Sequence, residues 1–192
     1  MGDMLSQAEI DALLNGSNLG EDNNNSSSEN LLSPQEIDAL GEIGNISMGT
    51  SATTLFMLLG HKVMITTPKV TVVTWEELTS EYSNHVVGVR VKYTHGLIGS
   101  NLLIMKENDA KIISDLMMGG DGSNTSGELS ELHLSAISEA MNQMVGSAAT
   151  SMSSMFDKRI DISPPKAFSL DFKSAFPAED LGADEYIVKI AF

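Results

Sequence analysis

The sequence contains no cysteine and no long apolar run, and each absence excludes a class of protein. Without cysteine the chain can form no disulfide and offers no thiol nucleophile. Its apolar runs fall far short of the roughly 20 residues that a helix needs to cross a bilayer, and its first residues lack the features of a secretory signal. We therefore expect a cytosolic protein without direct membrane insertion, in which 192 residues form one domain with an appendage.

Basic residues are also scarce, with 11 lysines and arginines against 26 acidic residues and a formal net charge of −15. Residues 1–60 hold nine acidic side chains, and the first basic residue is Lys62. This distribution argues against nucleic acid as a partner, because phosphate binding needs a basic stripe. The acidic front end fits a basic patch on another protein, but simple solubility explains it as well.

Composition changes sharply between residues 15 and 30, which are dense in asparagine, serine, glycine and acid. Such a segment buries too little apolar surface to offset its ordering entropy, so residues 15–31 are predicted to be a disordered linker. Residues 4–14 keep a helical pattern with an S-x-x-E capping box, which predicts that residues 1–14 are a docking peptide that orders in a partner's groove. The residues that carry this pattern are Leu5, Ser6, Glu9, Ile10, Leu13 and Leu14.

Two long helices are predicted past the linker. The first runs from the Ser33 cap to Leu59 and stops at Gly60, and the second runs from near Leu129 to about Phe156. Runs of β-branched and aliphatic residues predict the strands, and a shorter helix is expected over 107–118. The predicted strands are 63–73, 86–93, 97–105, 160–163, 168–173 and 186–192.

The apolar positions of each long helix fall on one face at 100° per residue. In the second helix this face includes several methionines, which we interpret as core filler rather than as a binding site. The face is formed in the first helix by Leu40, Ser51, Leu55 and Leu58, and in the second by Ile137, Met141, Met144, Ala148, Met152 and Met155.

The two long helices also share a polar pattern at an offset of 97 residues. Asparagine is followed 23 positions later by proline in both copies, at Pro68 and Pro165. The repetition of a whole constellation indicates an internal duplication, and the same offset aligns 186–192 with 89–95. The first copy, here called the first stripe, is Asp38, Glu42, Asn45 and Gly49; the second stripe is Ser135, Glu139, Asn142 and Gly146.

Helical geometry places the four members of each stripe within about 60° of arc, opposite the apolar face. A stripe in that position faces solvent or a partner, and an ordinary solvated face is the simpler interpretation of one copy. Glycine inside a helix costs about 1 kcal/mol relative to alanine. A glycine at this position is explained if the surface of another molecule must approach the helix closely.

The residue types of the stripes limit their chemistry. They contain no histidine to act as a base, and the histidines elsewhere show no metal-ligand spacing; these are His61, His85, His95 and His133. An amide can orient a water for in-line attack on a phosphoryl group, and a carboxylate can pair with a lysine. The stripes are therefore suited to completing an active site that another protein supplies.

At these residues the chain resembles the CheC/FliY/CheX family of chemotaxis phosphatases, which dephosphorylate the aspartate of the response regulator CheY. The family signature is Asp or Ser, three residues, Glu, two residues, Asn, and Pro 23 positions on, and this chain matches it twice. We expect an α+β fold in which a pseudo-two-fold duplicated CheC-like domain, residues 32–192, packs two long helices on a mainly antiparallel sheet. Its halves are about 33–127 and 128–192, with both stripes on one exposed surface.

The resemblance implies a role for each stripe residue. Asn45 and Asn142 align the hydrolytic water, and Glu42 and Glu139 pair with the lysine of the regulator's active site. Because the regulator supplies Mg²⁺, the chain needs no cofactor and no metal of its own. Supporting roles fall to Asp38, Ser135, Gly49, Gly146, Pro68 and Pro165.

The resemblance extends to the docking peptide, which is similar to the N-terminal peptide by which flagellar switch proteins capture phosphorylated CheY. It implies partners of the FliM, FliG and FliN types and a location at the cytoplasmic face of the flagellar basal body. Family members with such a peptide are expected to continue into a FliN-like domain, which this sequence does not include.

Two other functions are compatible with parts of the pattern. A non-catalytic module could use the stripes to dock phosphorylated CheY or to act as a scaffold in the switch. A small-molecule enzyme fits less well, because the sequence shows no cofactor motif and no nucleophile.

Overall fold

The computed structural model describes residues 31–82, 85–170 and 186–192. The predicted docking peptide, and the predicted linker up to residue 30, lie outside these residues. The rest contains helices together with strands that pair antiparallel, which confirms the α+β class. In chain order the elements are α1 Pro34–Leu59, β1 Lys69–Thr74, α2 Trp75–Ser80, β2 Val86–His95, β3 Ser100–Lys106, α3 Glu107–Met117, α4 Glu131–Phe156, β4 Asp161–Ile162, β5 Lys166–Leu170 and β6 Tyr186–Ala191.

Local signals fix both ends of α1 where the sequence predicts them. The Ser33 hydroxyl accepts a hydrogen bond from the Glu36 backbone N–H, and the Glu36 carboxylate accepts one from the Ser33 N–H at 2.7 Å. These bonds stabilise the carboxylate and hold the pKa of Glu36 below its usual value. Gly60 ends the helix in the left-handed region at φ 68°, where glycine is free of Cβ strain.

The helix α4 repeats α1 in length and position. Each helix is 26 residues long, and both ends of α4 lie 97 positions after those of α1. Ser130 caps α4 as Ser33 caps α1, but His133 replaces glutamate as the reciprocal acceptor, with 3.0 Å from the Ser130 nitrogen to His133 Nδ1. The shared helix boundaries confirm the predicted duplication.

The two halves exchange strands, because β1 pairs with β6 and β5 pairs with β2. Lys69 lies opposite Ala191, and Lys166 lies opposite Arg90. Lys166 follows Lys69 by 97 positions, whereas Ala191 follows Arg90 by 101. The alignment of 186–192 with 89–95 is therefore wrong by four residues, because strand pairing rather than helix spacing decides which positions are equivalent.

Several strand boundaries differ from the prediction. The strand expected over 63–73 begins only at Lys69, directly after a proline that cannot donate to the ladder. The strand expected from Leu97 begins at Ser100, because Gly96 and Gly99 form the connecting turn at φ 84° and 114°. The helix α2 was not predicted, although Thr74 and Glu77 form a capping box at its start.

The core lies between the long helices and the sheet around β2. Ser51 is fully buried where α1 meets α4, and its hydroxyl donates to the Met144 carbonyl oxygen at 3.0 Å. Burial of Met141, Met144 and Met152 confirms the interpretation of these methionines as core filler. The predicted apolar faces are wrong only at Leu58 and Met155, which are exposed because they lie past the last buried residue of their helices. Within the described part of the chain, no helix is both long and apolar enough to cross a membrane.

Candidate functional site

Both stripes lie on the outer faces of their helices, away from the core. The buried residues of α1 and α4 cluster on the opposite face of each helix. The periodicity argument from the sequence therefore agrees with the structure. Asp38, Glu42, Asn45, Ser135 and Glu139 are exposed, and Gly49, Asn142 and Gly146 are half-buried.

The two stripe glycines are not required by the packing of the described residues. A Cβ atom added at Gly49 or Gly146 meets no such atom within 4 Å. At Gly44, which faces the sheet, it would lie 3.4 Å from side-chain atoms of Ile190 and Phe192. Since glycine is unfavourable inside a helix, its presence in both stripes favours close approach of a surface from outside the fold.

A shallow groove of about 610 Å³ runs between α1 and α4 beside the stripes. Ile46 follows Asn45 of the first stripe, and Ser147 follows Gly146 of the second. In both helices the groove positions lie between the stripe and the buried face, so the two stripes border one open surface from opposite sides. The groove is lined by Ile46, Thr50, Ser147, Thr150, Ser151, Ser154 and Met155.

The stripe carboxylates differ in their surroundings. The Gln143 side-chain amide donates to Glu139 Oε1 at 2.8 Å. The position equivalent to Gln143 in the first stripe is Ile46, which is 42% exposed and cannot donate. Among the described residues, no ion pair involves Glu42 or Glu139, so both carboxylates can accept a cation from a partner.

The two signature prolines lie at strand starts rather than on the stripes. Pro68 directly precedes β1, and Pro165 directly precedes β5. Proline is tolerated there because the first residue of a strand can lack an N–H without losing a ladder bond. Their contribution to the site is therefore indirect, through the point at which each strand begins.

The stripes hold groups that orient and pair, but none that attack. No histidine lies among them, and in the described ranges no group of three or more His, Cys, Asp or Glu side chains could hold a metal ion. Carboxamides donate and accept hydrogen bonds, and carboxylates accept them. The arrangement can therefore position a water and a cation whose chemistry another molecule supplies.

Comparison with known proteins identifies the family. The model of the CheC-like family matches residues 36–72 and 132–169, and each match contains one stripe with its downstream proline. The crystal structure of Thermotoga maritima FliY superposes with a TM-score of 0.74 at 43% identity, covering 83% of this chain and 85% of that one. This chain belongs to the CheC-like family. Membership in the CheC-like family agrees with the duplicated fold.

Two proteins of Bacillus subtilis (strain 168) are similar to this chain over most of its length. The flagellar motor switch phosphatase FliY is 51% identical over 188 residues, which cover 98% of this chain and 50% of that protein. The CheY-P phosphatase CheC is 27% identical over 157 residues, covering 79% of this chain and 74% of that protein. The chain thus spans half the length of the FliY protein that it matches.

The sequence interpretation missed the residues that flank the stripe carboxylates. Gln143 and Ile46 each lie four positions after a stripe glutamate, on the same helix face. A Glu-x-x-x-Gln spacing is a recognisable helix pair, so Gln143 could have been found. The groove could not, because it depends on how the two helices cross.

Proposed function

We propose that the chain is a protein aspartyl-phosphate phosphatase that dephosphorylates the chemotaxis response regulator CheY-P at the flagellar motor switch. The observation that carries this proposal is the pair of outward-facing Glu and Asn stripes, each with a glycine that the packing of the described residues does not require. Relatives named as a flagellar motor switch phosphatase and a CheY-P phosphatase support it.

The proposed mechanism uses two groups from each stripe. The Asn45 or Asn142 carboxamide enters the regulator's phosphorylation site and holds a water in line with the bond between phosphorus and the aspartate oxygen. The water oxygen attacks phosphorus, that bond breaks, and inorganic phosphate and a free aspartate carboxylate result. Glu42 or Glu139 pairs with the regulator's lysine and fixes the docked geometry.

The remaining groups come from the substrate protein and from the rims of the stripes. The regulator supplies Mg²⁺ and the phosphoaspartate, so the chain itself holds no cofactor. Asp38 and Ser135, one turn before the glutamates, provide polar contacts at the edge of the docked surface. Proposed assembly partners are switch proteins of the FliM, FliG and FliN types, at the cytoplasmic face of the basal body.

The direct test is the lifetime of the regulator's acyl phosphate. Adding the chain to phosphorylated CheY should shorten that lifetime by a factor that rises with chain concentration and saturates. Charge reversal at both Glu42 and Glu139 should weaken the effect, because the lysine contact becomes repulsive. Phosphate release is the measurement, and Glu76→Lys on α2, a charge reversal at an exposed acidic site away from the stripes, is the matched control.

The rival function predicts a different result from the same assay. A non-catalytic docking or scaffold module binds phosphorylated CheY and leaves its autohydrolysis rate unchanged. If the chain binds phosphorylated CheY without accelerating its hydrolysis, the docking module and not the phosphatase is the correct function.

The docking peptide, which lies outside the described residues, is proposed to capture phosphorylated CheY for the stripes. Deleting residues 1–14 should raise KM and leave kcat unchanged, because the peptide raises local substrate concentration without touching the reacting atoms. Tethering of this kind is worth up to about 10²- to 10⁴-fold in avidity. Steady-state kinetics with and without the segment measure the effect.

Two variants control for the deletion. Serine at both Leu13 and Leu14 removes apolar contacts while keeping chain length, and should reproduce the higher KM. Asn24→Ser in the predicted linker should have no effect. A fall in kcat on deletion would show that the peptide takes part in the chemistry.

A further inference from the structure

The two stripes differ at one position beside their catalytic groups. Positions 46 and 143 are equivalent in the duplication, and each lies four residues after a stripe glutamate. The glutamate, asparagine and glycine are the same in both stripes, but position 46 is isoleucine and position 143 is glutamine. At the surface proposed to contact the partner, the second stripe therefore presents an amide where the first presents an apolar side chain.

In the second stripe, Gln143 restrains the glutamate before any partner arrives. Its Nε2 lies 2.8 Å from Glu139 Oε1, and a bond to an ionised acceptor is stronger than one between neutral groups. A carboxylate offers about four acceptor positions on its two oxygens. One is used by Gln143, so Glu139 keeps room for a lysine ammonium in a fixed orientation.

In the first stripe, Glu42 has no such restraint. Ile46 is 42% exposed and lines the groove between the helices. Within the described ranges, no hydrogen-bond donor contacts the Glu42 carboxylate. Glu42 must therefore lose its side-chain freedom when it binds a lysine, whereas Glu139 has lost much of it already.

We propose that Gln143 is a positioning residue that pre-orients Glu139, so that the second stripe binds phosphorylated CheY more tightly than the first. This inference rests on the proposed function. Gln143 makes the two stripes unequal in affinity, although it touches neither the water nor the phosphoryl group. Ile46 leaves the first stripe with an apolar contact in place of the amide.

The first experiment removes the amide and keeps the size of the side chain. With the first stripe inactivated by Glu42→Lys and Asn45→Ala, Gln143→Met should raise KM by up to about twofold, the range for an exposed side-chain pair four residues apart on a helix, and leave kcat unchanged. The Kd for CheY activated with beryllofluoride, a stable mimic of the acyl phosphate, should rise by the same factor. The melting temperature should not move, because both side chains are exposed.

The control uses the opposite background. With the second stripe inactivated by Glu139→Lys and Asn142→Ala, Gln143→Met should change neither KM nor Kd. In that background Ile46→Gln should bind activated CheY more tightly than Ile46→Met, because only the glutamine offers Glu42 an amide. Comparing two unbranched side chains separates the amide from the loss of isoleucine.

The outcomes separate this inference from the proposed function. An unchanged Kd and KM for Gln143→Met in the first background overturns the role of Gln143, as does a fall in kcat alone. If no form of the chain shortens the lifetime of the acyl phosphate, the phosphatase proposal fails. The two Kd comparisons still decide whether Gln143 orients Glu139 for binding.

Discussion

Alanine at both Asn45 and Asn142 is expected to abolish the acceleration of acyl-phosphate hydrolysis while the fold stays intact. Both side chains lie on the outer faces of the long helices, and neither makes a hydrogen bond to another described residue. Alanine therefore removes no hydrogen bond to the described residues, and it is a better helix former than asparagine. A lost rate in this variant reports on the reaction rather than on stability.

The size of the expected loss follows from what the amides do. Misplacing a reacting group by about 1 Å can cost about 10²-fold in rate, so kcat should fall by about 10²-fold or to the autohydrolysis rate. Each single variant should keep the part of the hydrolysis rate that the other stripe contributes. If the stripes act independently, those two residual rates should sum to the rate of the intact chain.

Single-turnover decay of phosphorylated CheY, with the chain in excess, measures these rates. Asn108→Ala is the matched control, since Asn108 is an exposed asparagine in the first turn of α3 and lies off both stripes. Its rate should equal that of the intact chain. Full activity in the double variant would mean that the stripe amides do not orient the water.

The helices could be predicted from the sequence because their signals are local. Ser33 and Glu36 form a capping box, and Gly60 supplies a left-handed stop, so α1 has the predicted bounds. A local signal can also mislead about ancestry. Residues 5–14 agree with 32–41 at seven of ten positions, whereas the structural counterpart 129–138 agrees at three, so residue identity over ten positions does not identify the repeat.

The strands could not be predicted as well, because their limits depend on distant partners. The start of β1 and the register of β6 follow from the pairing of Lys69 with Ala191, which joins residues far apart in the chain. β-branched residues at 63–67 have strand propensity, but they lie ahead of the proline that precedes β1. Propensity alone therefore extended the strand too far.

In the candidate site too, local features could be predicted from the sequence, and features that depend on tertiary structure could not. Helical periodicity alone places Glu42 beside Asn45 and Glu139 beside Asn142. The space around the glycines, the groove and the bond from Gln143 to Glu139 depend on helix crossing and rotamers, which no short pattern encodes. Sequence reasoning thus identified which residues form the stripes but not how the two stripes differ.

Gly96→Ala is expected to destabilise the domain more than any exposed substitution discussed above. Gly96 lies in the turn between β2 and β3 at φ 84°, a region that costs an L-residue about 1–2 kcal/mol. Its new Cβ would also overlap the Arg159 carbonyl oxygen and lie 3.0 Å from Ile160 Cγ1. Overpacking of this kind costs about 1–3 kcal/mol, so the free energy of unfolding should fall by about 2–5 kcal/mol.

Gly119→Ala separates the two causes of this loss. Gly119 has nearly the same φ, 87°, but a Cβ there meets no described atom within 4 Å. It should therefore incur only the conformational cost of about 1–2 kcal/mol. Urea unfolding followed by circular dichroism measures both variants, and equal losses would mean that the turn moves away from Arg159 without cost. Because a backbone carbonyl cannot rotate aside as a side chain can, we expect the Gly96 variant to lose more stability.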